Sequence, residues 1–318
     1  MRILNLEPNN FSLKAKQILK TVAKYKDVKN LNFVKKCQKT NIIITRLGHN
    51  IDSKFLENFP NLIAIATATT GLNHINLNKI NAKKITVLSL KDETKFLSSI
   101  TATAEHHWAL LLSLIRKVPK ANESVKNYNW EREKFTGFQL KNKIIGIVGY
   151  GRIGKMIAKF SKSFGMQIIA HEKKKLKNKK MIRFVNLEEL FRTSDIISIN
   201  LSLTSDTEKI ISKELLFSTK NNVYIINTSR GELIDEEALV EKIKKGKIGG
   251  FATDVLSNEL SKTSDFFKKN KLVELSNKNK NIIITPHIGG ACTDAMRETE
   301  VFIAKKIVKF IKGFKKND

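Results

Sequence analysis

One stretch constrains this chain more than any other: residues 141–154, Lys-Asn-Lys-Ile-Ile-Gly-Ile-Val-Gly-Tyr-Gly-Arg-Ile-Gly. A β-rich apolar run, Ile144 to Val148, leads straight into Gly149-Tyr150-Gly151-Arg152-Ile153-Gly154. Ile153, Met156, Ile157 and Phe160 then recur on one face of a helix. Strand, glycine turn and helix in that order predict a dinucleotide-binding unit, and each glycine has a mechanical duty. Gly149 permits the tight turn, Gly151 has no Cβ and lets a pyrophosphate approach the backbone, and Gly154 lets the helix pack against its strand. The helix start, at Arg152 and Ile153, offers unpaired N–H groups and the positive end of its dipole to the phosphates.

A second apolar run, Gln167 to Ala170, ends in His171-Glu172, about twenty residues on, where such a fold places an acid against the adenosine ribose diol. A carboxylate there repels a 2′-phosphate, so NAD rather than NADP is the expected cofactor. Lys173 and Lys174, next in sequence, oppose that preference.

The chain has 318 residues, 41% of them apolar, enough for two domains and a large core. No apolar run approaches the ~20 residues a membrane span needs, and the first residues read as a strand rather than a signal peptide. A cytoplasmic protein without a membrane partner is expected. The two cysteines, Cys37 and Cys292, suggest neither a disulfide framework nor a metal cluster. A net charge of +28 raises nucleic acid as a partner. The excess is mostly lysine and is scattered, without aromatics interleaved to stack on bases, so nucleic-acid binding is not expected.

Strand and helix signals alternate along the chain, which predicts parallel sheets covered by helices. Before residue 100, strands are expected at Met1 to Leu6, Asn41 to Thr45, Leu62 to Ala66 and Ile85 to Leu88, with Ser12 capping a first helix. The small-residue turn Thr67-Ala-Thr-Thr-Gly-Leu-Asn-His74 follows a strand end, where open α/β sheets bind ligands. A long helix from Ala104 to Lys117 carries Trp108, Leu110, Leu111, Leu114 and Ile115, more apolar surface than one flank hides, which suggests a subunit contact. Beyond the glycine turn, further strands at Ile196 to Ile199, Val223 to Ile226, Gly250 to Thr253 and Ile282 to Ile284 bring the second sheet to six. Residues 261–280 read as a lysine- and serine-rich surface loop with a short helix, and residues 291–312 as an amphipathic helix closing the N-terminal domain.

Three ionisable residues stand at or beyond strand ends in the second sheet: Arg230 after Ile225-Ile-Asn-Thr-Ser229, Glu259 beyond Asp254, and His287 after Ile282-Ile-Ile-Thr-Pro286. Carboxyl ends of strands border the ligand crevice, so the three are expected to converge at the nicotinamide end. Oxidation of an alcohol needs a group to take the hydroxyl proton, and imidazole titrates in the right range. A neighbouring carboxylate fixes its tautomer, and a guanidinium can grip a carboxylate with two parallel hydrogen bonds.

With these residues in hand the sequence resembles the D-isomer-specific 2-hydroxyacid dehydrogenase family over nearly its whole length. The likeness rests on Gly149 to Gly154, on Ile226-Asn-Thr-Ser-Arg-Gly-Glu-Leu-Ile-Asp-Glu-Glu-Ala-Leu239, on Ala252-Thr-Asp-Val-Leu-Ser-Asn-Glu259 and on Thr285-Pro-His-Ile-Gly-Gly290. The resemblance implies two Rossmann-like doubly wound α/β domains: a discontinuous substrate or lid domain, 1–100 completed by 288–318, and an NAD-binding domain, 101–287. It implies a homodimer and casts Arg230, Glu259 and His287 as the catalytic set. Asp254 matches the acid at the nicotinamide carboxamide, Thr228 joins the cofactor contacts, and Glu172 stands where the family usually has Asp. Thr70 and Gly71 match the amides that hold a substrate carboxylate. Arg46 resembles an arginine on the substrate side of phosphoglycerate dehydrogenases, which tilts the expected substrate towards 3-phosphoglycerate or a similarly acidic molecule. Asn200 and Ser202 depart from the family's usual His and Pro, and Leu260 from a usual Pro. The activity implied is interconversion of a D-2-hydroxy acid and its 2-oxo acid with NAD. The alternative is an NAD(H)-sensing binding or corepressor-type protein of the same fold.

Overall fold

The isoleucine-rich runs are strands. In a computed structural model of the protein, described for residues 1–28, 37–174, 176–178, 181–259, 263–278 and 281–314, they build two parallel sheets. The first contains β1 (Arg2–Asn5), β2 (Lys24–Asp27), β3 (Ile42–Thr45), β4 (Ala64–Thr67) and β5 (Thr86–Leu88). The second contains β6 (Ile144–Val148), β7 (Gln167–His171), β8 (Ile182–Phe184), β9 (Ile196–Ile199), β10 (Val223–Asn227), β11 (Ile248–Thr253) and β12 (Ile282–Ile284). Their orders are β2-β1-β3-β4-β5 and β12-β11-β10-β9-β6-β7-β8. Both orders reverse direction at one point, between β1 and β3 and between β6 and β9, as doubly wound sheets do. The chain divides correspondingly into two units, Met1–Ile100 with the stretch from Ala291, and Thr101–Gly290.

Central strands covered on both faces read as near-continuous apolar runs. All of β3, β4 and β9 is buried, and neighbouring residues feed opposite cores. In β9, Ile196 faces the core under the Ala102–Ile115 and Arg152–Ser163 helices, whereas Ile197 and Ile199 face that of the helices on the other side. In the N-terminal unit, the Leu13–Lys20 helix starts where Ser12 Oγ accepts from the Ala15 N–H at 3.3 Å. The Thr293–Phe314 helix packs beside it, placing Ile303, Ala304, Ile307 and Ile311 in the same core. Among the described residues no helix is long and apolar enough to cross a membrane.

The second sheet has seven strands rather than six. The extra one, β8, and the unexpected β2 of the first sheet are short edge strands of mixed polarity, Ile-Arg-Phe and Lys-Tyr-Lys-Asp. Edges bury one side only and shun exposed apolar runs, so they carry little hydrophobic signal. The stretch expected as a surface loop with one short helix holds two, Ser264–Lys269 and Lys271–Asn277, and Leu272 and Leu275 of the second enter the core. Residues 260–262 and 279–280, Leu260 included, lie outside the described residues. Trp108, Leu110, Leu111, Leu114 and Ile115 are all buried within their own unit, Trp108 stacked on Phe164 at 4.6 Å. That surface therefore gives no support to a subunit contact.

Candidate active site

The glycine turn leaves the end of β6 at the switch point of the second sheet, beside the end of β9, where a doubly wound fold opens its ligand crevice. The three glycines differ as their spacing predicts. Gly149 has φ +91°, and a Cβ there would fall 2.7 Å from the Asn200 carbonyl oxygen. At Gly154 a Cβ would meet the Gly149 oxygen at 2.2 Å, the close approach of helix to turn. At Gly151 a Cβ would touch nothing within 4 Å. The structure requires glycine at 149 and 154 for its own packing, whereas at 151 the missing side chain leaves a cradle for something else.

Around that cradle the donor and acceptor set suits a dinucleotide. The Arg152–Ser163 helix begins there with no side-chain cap on its first N–H groups. Glu172, just past β7, accepts the Tyr150 N–H at 2.9 Å, so the carboxylate lies against the turn. Two buried oxygens in this unit, Thr228 Oγ1 and Asn200 Oδ1, have no hydrogen-bond partner among the described residues. Asn200 spends its Nδ2 on the Ser198 carbonyl and hydroxyl, at 3.1 and 3.0 Å. Orphaned buried acceptors beside such a cradle fit a polar ligand.

The next strand ends supply the ionisable groups. After β10, Asn227 braces the turn, its Nδ2 donating to the Arg230 carbonyl at 2.8 Å and its Oδ1 accepting the Ser229 N–H at 3.0 Å. The Arg230 guanidinium donates to the Ser229 carbonyl at 2.6 Å. Burial pulls its pKa down from the usual arginine range, opposed by the charges of Glu259 and Glu232. A Cβ on Gly231 would lie 2.1 Å from the Ser257 nitrogen, so the turn carrying Arg230 abuts the turn carrying Glu259. Glu232 fastens the two turns, accepting the Asn258 N–H at 3.0 Å.

Glu259 Oε1 pairs with His287 Nδ1 in a short contact, and Glu259 Oε2 accepts the Leu256 N–H at 3.2 Å. The imidazole is thereby held at Nδ1, which leaves Nε2 as the nitrogen available for exchange. His287 has φ +54°, a left-handed conformation that costs a non-glycine residue ~1–2 kcal/mol. Its N–H donates to the Asp254 carbonyl at 2.9 Å and the Thr285 carbonyl at 3.0 Å.

Asp254, expected among the cofactor contacts, is buried and serves the His287 turn. It accepts Thr285 Oγ1 at 2.6 Å, the Ile288 N–H at 2.8 Å and the Gly289 N–H at 2.7 Å, with His106 Nε2 at 3.2 Å. Burial raises its pKa, but the hydrogen bonds from His106, Thr285, Ile288 and Gly289 outweigh that and hold the carboxyl below the usual range. His106 escaped the sequence reading because a polar residue on an amphipathic helix looks solvent-facing. Nothing local marks its partner.

In the N-terminal unit, Arg46 is engaged by its own neighbours. Its guanidinium pairs with the buried Glu300 carboxylate, reaches the Asn9 carbonyl at 3.5 Å and lies 6.0 Å from the centroid of the Phe11 ring. Its main-chain N–H donates to Glu7 at 2.7 Å. Thr70 and Gly71 lie in the turn beyond β4, where Thr69 Oγ1 donates to the Gly71 carbonyl at 2.9 Å; Thr70 is exposed.

Comparisons with known proteins converge with this geometry. Residues 108–289 match the family described as "D-isomer specific 2-hydroxyacid dehydrogenase, NAD binding domain". A hydroxypyruvate reductase of Thermotoga maritima is 34% identical over 268 residues, 84% of each chain. A D-3-phosphoglycerate dehydrogenase of Archaeoglobus fulgidus is 31% identical over 283 residues; these are 88% of this chain but 51% of that one, so the chain spans about half of that relative. The crystal structure of the Aquifex aeolicus D-lactate dehydrogenase with NAD and lactic acid superposes with a TM-score of 0.84 at 26% identity, covering 98% of this chain and 96% of that one. With family motif, relatives and fold in agreement, this chain belongs to the D-isomer-specific 2-hydroxyacid dehydrogenase family and is an oxidoreductase acting on CH–OH groups.

Proposed function

We propose that the chain interconverts a small D-2-hydroxy acid and its 2-oxo acid, with hydroxypyruvate or a substrate of similar size preferred to 3-phosphohydroxypyruvate. The observation that carries the reading is the His287–Glu259 pair beside Arg230. Bound NAD supplies the two-electron acceptor for the hydrogen on the substrate's C2. The Gly149–Gly154 turn with Arg152 and Ile153 takes the pyrophosphate, Glu172 the ribose diol, and Thr228 contributes its unpaired hydroxyl oxygen. His287 takes the hydroxyl proton at Nε2 during oxidation and returns it to the carbonyl oxygen during reduction. Glu259 at Nδ1 holds the tautomer and stabilises the imidazolium. Arg230 grips the substrate carboxylate through parallel hydrogen bonds. The family resemblance alone proposes Thr70 and Gly71 as further substrate contacts.

The preference for a small acid follows from Arg46. A guanidinium committed to a buried carboxylate has little charge left for a phosphate, so the sequence argument for 3-phosphoglycerate weakens. NADH oxidation against a panel of 2-oxo acids tests the assignment. Turnover of hydroxypyruvate or glyoxylate well above that of 3-phosphohydroxypyruvate is expected; absence of turnover with every acid would favour the sensor alternative, which has no use for a proton-exchanging pair.

Two further expectations attach to this reading. Glu172→Gln removes the charge that repels a 2′-phosphate while Lys173 and Lys174 remain, so the ratio of kcat/KM with NADH to that with NADPH is expected to fall at least ~10-fold, about 1.4 kcal/mol. An unchanged ratio would show that Glu172 serves only the Tyr150 and Lys173 amides. A homodimer is also proposed, its contact centred on Tyr128 and Trp130, which are 99% and 87% exposed. Rings this large bury ~150–250 Å² each and are seldom left in water. Sedimentation equilibrium is expected to give twice the 36.1 kDa chain mass, and Trp130→Ala to lower it towards one; a monomer in the unsubstituted protein would refute the contact.

A further inference from the structure

A second imidazole underlies the His287 turn, and the proposed reaction makes no use of it. His106 projects from the Ala102–Ile115 helix and places Nε2 3.0 Å from Thr285 Oγ1 and 3.2 Å from Asp254 Oδ1. The direction of each proton follows by elimination. An ionised carboxylate can only accept, so the Thr285 hydroxyl, 2.6 Å from Asp254 Oδ1, points its hydrogen at the aspartate. The Thr285 oxygen then offers only lone pairs to His106. His106 must therefore carry its proton on Nε2 and donate to Thr285 and Asp254 together.

That proton completes a cage. Asp254 receives donors from His106, Thr285, Ile288 and Gly289, and its carbonyl receives the His287 N–H. Residues 285–289 are thus wrapped around one buried carboxylate. The wrapping matters because His287 sits at φ +54°, a conformation that persists in a non-glycine residue only when its surroundings over-determine it. Were the donor at 106 lost, a buried carboxylate would lack one partner and the turn would be free to relax towards ordinary φ. His287 would then move relative to the atom with which it exchanges its proton.

We propose that His106 is a positioning residue, acting through Thr285 and Asp254 to hold the turn that aims His287. The inference rests on the reading of His287 as the proton-exchanging group, and its test is built so that the two can fail separately. Outer hydrogen-bond partners of metal-bound histidines typically matter by ~10- to 100-fold, and by analogy His106→Phe is expected to lower kcat for 2-oxo acid reduction by about that factor. KM for the acid and Kd for NADH should change far less than kcat, since the glycine turn and Arg230 are untouched and Asp254 keeps its donors from Thr285, Ile288 and Gly289. His106→Gln, whose amide N–H can stand in for Nε2–H, should restore most of the loss. Thr285→Val should reproduce the loss and Thr285→Ser should not, and combining His106→Phe with Thr285→Val should cost no more than either alone, because both cut the same chain of hydrogen bonds.

A crystal structure of His106→Phe gives a readout free of turnover. The turn is expected to leave the left-handed region at residue 287 and the Glu259–His287 contact to open. If the turn stays unchanged, or if His106→Phe keeps kcat within twofold, the proposal is overturned. A loss that His106→Gln cannot rescue, accompanied by a matching rise in Kd for NADH, also overturns it, by making His106 merely structural. Full activity in His287→Ala would instead overturn the acid–base reading while leaving the crystallographic result to decide whether His106 shapes the turn.

Discussion

Replacing His287 by alanine is expected to lower kcat by ~10²- to 10⁴-fold, the usual worth of a positioned acid or base, or about 3–5.5 kcal/mol of barrier. NADH binding should be nearly unaffected if, as proposed, the cofactor's phosphates fall to the Gly149–Gly154 turn, which follows a different strand from His287. Alanine inherits the left-handed φ of +54° with a similar Cβ, so the substitution neither relieves nor adds backbone strain and Tm should change little. His287→Asn sharpens the result. Asparagine tolerates the left-handed region, and its amide nitrogen can still reach Glu259 from near the Nδ1 position, yet it has no nitrogen at the Nε2 position and no group that exchanges a proton near neutral pH. Equal losses in both variants with stopped-flow NADH binding intact would place the defect in proton exchange. Turnover and NADH affinity falling together would mark His287 as structural.

The second large effect is expected at Gly151. A Cβ there would meet no protein atom within 4 Å, and φ is −75°, on the side of the map that L-residues use. Gly151→Val should therefore fold with its melting temperature within a few degrees of the parent. The same branched side chain fills the cradle against which a pyrophosphate would lie, so Kd for NADH should rise at least ~100-fold, a loss of about 2.7 kcal/mol. Gly154→Ala is the counterpart with the opposite signature. Its Cβ would press on the Gly149 oxygen at 2.2 Å and on Ile147 at 3.1 Å, an overpacking that costs ~1–3 kcal/mol of stability. Calorimetry and cofactor titration on the two variants separate a glycine kept for a ligand from one kept for the fold. Normal NADH affinity in Gly151→Val would put the nucleotide elsewhere.

Much of this was legible from local pattern. The runs at Ile144 and Ile196 are buried strands because a parallel sheet covered on both faces favours near-continuous apolar residues. Ser12 announces its helix because its hydroxyl has an amide three residues on to satisfy. The glycine spacing carries its geometry with it, since turn, cradle and helix contact all fall within six consecutive residues. The edge strands β2 and β8 and the second helix of residues 261–280 were not foreseen for the same reason: with one face in water, polar residues alternate with or flank the few, Leu272 and Leu275 among them, that reach the core.

What the sequence determined by itself is the class of fold, the place of the nucleotide turn and the identity of Arg230, Glu259 and His287 as residues to watch, all written in patterns a few residues wide. Tertiary structure alone decided who partners whom. Arg46 meets Glu300 across 254 residues, His106 meets Thr285 across 179, and His287 meets Glu259 across 28. A charged or hydrogen-bonding side chain advertises its needs but not its partner. Only the packing of the sheets brings the two ends together, and that sets whether an arginine waits for substrate or is already neutralised, and whether a helix histidine faces water or braces the turn beneath another.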